Sequence, residues 1–111
     1  MKRNYIDYLN DILDAVHDIL SFVKDMDFES FATDRKTQYA VIRCFEVIGE
    51  AAKSLPPSYR NKNPQLPWSK MAKMRDLLIH HYMGVDLSIL WQTIKTDLTE
   101  IQKILEDIIS D

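Results

Sequence analysis

The chain has 111 residues, 46% hydrophobic and 28% charged, with two glycines, four prolines and a formal net charge of −3. This length supports one modest core and one domain spanning residues 1–111, and the composition excludes a disordered or fibrous chain and favours a compact helical one. No stretch reaches the roughly 20 uninterrupted apolar residues of a membrane span, and Asp7, Asp11, Asp14 and Asp18 break up the segment where a secretion signal needs an apolar run. A cytoplasmic protein is therefore expected.

The first apolar stripe, Ile6, Leu9, Ile12, Leu13, Val16, Ile19, Leu20 and Val23, recurs at intervals of three and four residues and predicts a helix over roughly residues 4–25. A second stripe, from Ala40 and Val41 through Cys44, Phe45 and Ile48 to Leu55, predicts a helix from about residue 34 to 55 with Asp34 as its N-cap. Cys44 lies in that stripe and, as the lone cysteine, reads as a buried structural thiol. Gly49 also lies inside this helix, where glycine costs about 1 kcal/mol relative to alanine; it implies close approach of another helix or a functional demand. Pro56 and Pro57 end the helix, and the polar run that follows reads as a loop as far as Pro67. A third, shorter helix is expected from Trp68 to Tyr82, stopping near Gly84. A fourth, capped by Asp86, carries the stripe Leu90, Ile94, Leu98, Ile101 and Leu105 toward the C-terminus. An all-α antiparallel four-helix bundle buries these stripes most simply.

The small net charge hides an asymmetry. Residues 34–75 hold Arg35, Lys36, Arg43, Lys53, Arg60, Lys62, Lys70, Lys73 and Arg75 against only Asp34, Glu46 and Glu50, while both flanking segments are acidic. Such clustering can produce a local anion-attracting field, although solvated helix faces explain it equally well.

The third helix is unusually polar for its size. At about 100° per residue, Met71, Met74, Leu77, Leu78 and His81 share the core-facing arc, and Asp76, Ile79 and His80 lie outside it. Tyr82 returns to within about 20° of Arg75, and Asp76 and His80 form an i,i+4 pair beside that line. His81 then reads as a packed, hydrogen-bonded histidine. His80 reads as a candidate general base held by Asp76, since an imidazole exchanges protons near neutrality. Arg75 reads as a candidate anion clamp. The same residues on an exposed face also suit ordinary surface ion pairs. No metal site is expected: the adjacent rings of His80 and His81 diverge, and neither a His-Glu-x-x-His motif nor paired cysteines occur. No cofactor motif is present either.

Arg75, four residues, His80, one residue and Tyr82 form an Arg-x4-His-x-Tyr motif that resembles the signature of the HepT-like toxins, a family of the HEPN helical-bundle superfamily. Gly49-Glu50-Ala51, Pro67-Trp68, Gly84-Val85-Asp86 and Trp91 extend the resemblance over most of the chain. It implies a metal-independent endoribonuclease acting on RNA as a homodimer. His80 would activate the 2′-hydroxyl or protonate the leaving oxygen, Arg75 would position the scissile phosphate, and Asp76 would be the polar residue that follows the arginine. A 2′-hydroxyl nucleophile would select RNA over DNA. His81 stands where relatives often carry glycine. The resemblance also implies a partner, a small MNT-type nucleotidyltransferase antitoxin that attaches AMP to Tyr82. Two rival readings remain open at this stage: a non-catalytic subunit presenting substrate or nucleotide to such a transferase, and a plain dimerising bundle.

Overall fold

In a computed structural model of the chain, the backbone is described for residues 3–80 and 86–110, and the side chains for residues 3–75 and 86–110. Six helices follow in order: α1 Tyr5–Phe22, α2 Phe28–Ala32, α3 Arg35–Ser54, α4 Pro57–Lys62, α5 Trp68–His80 and α6 Leu87–Ser110. The described residues are thus all-helical, and α1, α3, α5 and α6 are the four principal helices of the expected bundle. Among the described residues, no helix is long and apolar enough to cross a membrane.

The caps are largely those the side chains dictate. Asn4 accepts from the Ile6 amide while Asp7 accepts from the Asn4 amide, a reciprocal pair that satisfies two orphan donors of α1. Asp34 accepts from the Thr37 amide at 3.0 Å, as expected of the α3 cap. Asp86 accepts from the amides of Ser88 and Ile89 and from the Ser88 hydroxyl ahead of α6. These hydrogen bonds hold both carboxyls below their ordinary range: the Thr37 amide is the main cause for Asp34, the Ser88 hydroxyl for Asp86.

Three boundaries differ from the sequence expectation. Helix α1 stops at Phe22 rather than near residue 25, because Asp25 adopts the left-handed conformation (φ 65°), which a right-handed helix excludes. The apolar stripe runs on to the buried Val23, so periodicity does not register the stop. The chain then forms the short helix α2, capped by Asp27 and Ser30, which drives Phe31 into the core 5.2 Å from the Trp91 ring. Finally, residues 57–62 are helical, not a loop. Pro57 occupies the first turn, where its missing N–H is no loss, so the proline pair that ends α3 also starts α4.

The packing is antiparallel. Crossing partners such as His17 with Glu106 and Phe31 with Trp91 run in opposite chain order, which sets α1 and α2 against α6 head to tail. The N-terminal half of α1 shares a crevice with the C-terminal half of α3 through Tyr8, Asp11, Val47 and Ser54. At the other end the Gln38 amide, on the first turn of α3, donates to the Phe31 carbonyl. The core is one cluster, with Ile12, Val16 and Ile19 of α1, Phe45 and Ile48 of α3, Met71 of α5, and Leu98, Ile101 and Leu105 of α6 almost wholly buried. Each such side chain contributes about 1.5–3 kcal/mol of transfer free energy before entropy is counted. Cys44 is buried, as expected, and burial raises its thiol pKa, with Asp18 adding to the effect.

Candidate active site

Helix α5 carries positions 75 and 80 of the motif, and its seating depends on one small residue. A Cβ on Gly49 would collide with the Arg75 Cβ and would stand 3.0 Å from the Arg75 amide nitrogen and 3.2 Å from its Cα. The missing side chain of Gly49 therefore lets α5 lie directly on α3 at Arg75, which is the close helix approach that a mid-helix glycine implied.

From that seat the arginine reaches the next residue of α3. Its Nε lies 3.5 Å from Glu50 Oε1, and the side chain is 35% exposed against 56% for Glu50. Arg75 is thus half-buried, reachable by an anion, and tethered by a carboxylate on the neighbouring helix. The sequence analysis missed this pairing, although Glu50 sits one residue after the glycine that admits α5. At the start of α5, Met71 and Met74 are buried, in agreement with the predicted core arc. Trp68 is also buried, and its indole Nε1 donates to the Asn63 carbonyl at 2.8 Å, tying the entrance of α5 to the end of α4.

The remaining motif positions were expected to complete the site. His80 ends α5 as a helical position, but the side chains of Asp76 and His80 lie outside the described residues, as do His81 and Tyr82 entirely. The expected Asp76–His80 pair and the Arg75–Tyr82 alignment lie there too. Among the described residues, no group of three or more His, Cys, Asp or Glu side chains is placed to hold a metal ion.

A short polar helix docked on a glycine of its neighbour, with a half-exposed arginine paired to a carboxylate at the contact, defines a small helical-bundle protein. The model of the ribonuclease HepT-like family matches residues 12–108, and the chain belongs to that family. It is 48% identical over 102 residues to a probable ribonuclease HepT of Thermococcus cleftensis, covering 92% of this chain and 93% of that protein. It is 49% identical over 110 residues to a putative RNase of Methanocaldococcus jannaschii, covering 99% of this chain and 95% of the relative. A further protein of the same archaeon, described as a gamma-glutamylcyclotransferase and putative RNase, is 42% identical over 112 residues, with 97% of this chain matching 50% of its length. No solved structure matches the chain.

Proposed function

We propose that this protein is a metal-independent endoribonuclease of the toxin type, acting as a homodimer and silenced when a nucleotidyltransferase antitoxin transfers AMP to Tyr82. The observation that carries the reading is the Arg75-x4-His80-x-Tyr82 sequence motif in a chain of the ribonuclease HepT-like family, with Arg75 half-exposed on α5. Relatives named as ribonucleases support RNA as the substrate.

In this mechanism the RNA 2′-oxygen attacks the adjacent phosphorus and the P–O5′ bond breaks. The 2′-hydroxyl proton passes to an imidazole, and an imidazolium returns a proton to the departing O5′, leaving a 2′,3′-cyclic phosphate and a 5′-hydroxyl. Two copies of His80, one from each protomer, would fill the two roles. The Arg75 guanidinium holds the non-bridging oxygens and stabilises the charge that grows on them. Were the helix to run on to Tyr82, that residue would stand two turns beyond Arg75 on nearly the same line. Transfer of an adenylyl group from ATP to the Tyr82 phenol, with release of pyrophosphate, would set a covalent phosphate against that arginine and compete with RNA.

Purified protein incubated with RNA in EDTA should cut it to cyclic-phosphate ends, and His80→Ala should abolish cutting. Undiminished cleavage by the variant removes His80 from the chemistry. Co-expression with a minimal nucleotidyltransferase should add the mass of one adenylyl group to the wild type and none to Tyr82→Phe. An unmodified wild type refutes the regulatory half of the proposal.

A further inference from the structure

Two of the nine cations in the middle of the sequence, Arg60 and Lys73, come together in the fold. Between α4 and the first turns of α5 lies an open crevice of about 560 Å³, walled by Pro57, Pro64 and Trp68 and carrying Arg60, Asn61 and Lys73. Arg60 is half-buried, and its Nε is closed off from solvent without a hydrogen-bond partner among the described residues. No carboxylate among the described residues pairs with Lys73 either, whereas Lys70, three residues earlier on the same helix, is held by Asp97 at 3.4 Å.

We propose that this crevice is a binding site for the RNA strand next to the point of cleavage, in which Arg60 and Lys73 take backbone phosphate and the Pro57, Pro64 and Trp68 walls take the flat face of a base or ribose. The inference rests on the nuclease reading above and extends its substrate site. Three features support it. A guanidinium and an ammonium in one cleft suit phosphate oxygens, the first through its fork and the second as a point charge. Apolar and aromatic walls beside cations are the pattern by which single strands are held without sequence preference. Position also bears on it: helix positions 69, 73, 76 and 80 recur at intervals of three and four, so on the α5 backbone Lys73 shares a line with position 80, about 10 Å further along the axis.

The probe is a short single-stranded RNA fully 2′-O-methylated, which binds but lacks the attacking hydroxyl, followed by fluorescence anisotropy across a salt series. Arg60→Gln and Lys73→Gln should each weaken binding about tenfold at low salt, and each should shrink the slope of log affinity against log salt by about 0.7, the loss of one phosphate contact to a single strand. Lys70→Gln should bind as the wild type does. Circular dichroism melts confirm that the variants fold. Cleavage of unmodified RNA by the wild type is measured alongside, so the two ideas fail separately. If the wild type cuts RNA and both variants bind the probe normally, the crevice is not the site and the nuclease reading stands. If the variants lose binding but the wild type never cuts, the crevice stands and the nuclease reading falls. A wild type that neither binds nor cuts overturns both.

Discussion

Gly49→Ala puts local propensity and tertiary packing in direct opposition. Inside α3, alanine is favoured over glycine by about 1 kcal/mol, so propensity alone forecasts a more stable protein. The added methyl, however, meets the Arg75 Cβ and comes within 3.0 Å of its amide nitrogen and 3.2 Å of its Cα. These are atoms close to the backbone, which no rotamer change can move aside. Carbon contacts relax only near 3.5–4.0 Å, so relieving the Cβ–Cβ collision needs a shift of α5 away from α3 of roughly 1–1.5 Å. Overpacking of this kind costs about 1–3 kcal/mol. Taken at the middle of that range, about 2 kcal/mol, and less the propensity gain, a net loss of about 1 kcal/mol remains, or a fall in Tm of roughly 4–8 °C for a domain of this size. The residue displaced is Arg75 itself, and a 1 Å misplacement of a positioning group can lower a rate about 100-fold. Urea melts together with RNA cleavage rates test both parts. Equal or higher stability for Gly49→Ala would refute the packing argument, and lowered stability with normal cleavage would separate Arg75 from the chemistry.

The other expectations concern the tether, the core and the caps. Arg75→Lys keeps the charge but loses the planar fork, so RNA cleavage should fall by about 10²–10³-fold with little change in Tm; retained activity in a cleavage assay would show that a point charge suffices. Leu98→Ala, at a fully buried position of α6, should cost about 2–5 kcal/mol in chemical denaturation, and a loss well under 1 kcal/mol would show that the bundle closes over the cavity. Asp86→Ala should lower Tm at neutral pH. Because the folded Asp86 carboxyl titrates below its unfolded value of about 3.9, the cap's contribution is present above that value and lost as pH falls through the lower folded one, so the Tm gap to wild type should persist at pH 5 and close in more acidic melts. The Cys44 thiol, buried and with a raised pKa, should react with a disulfide reagent far more slowly in the native protein than in urea, and equal rates would place it at the surface.

What the sequence by itself determined is the set of signals that act over a turn or two of chain. The apolar stripes of α1, α3 and α6, the Met71 and Met74 start of the α5 stripe, the Asp34 and Asp86 caps and the stop at Pro56 are each encoded within a few residues and hold in the fold. Arg75, His80 and Tyr82 stand out by their likeness to a family signature rather than by helical spacing, which suits surface ion pairs equally well. Short elements were harder to see: α2 and α4 span 5 and 6 residues, too few for a period to show, and α2 is fixed by Phe31 finding Trp91 sixty residues away. Only the tertiary structure decided why Gly49 must be glycine, that Glu50 holds Arg75, and which of the many central cations share a cleft. Each of those depends on where α5 settles against α3 and α4, and that is set by the shape of packed surfaces from distant parts of the chain, which no local pattern contains.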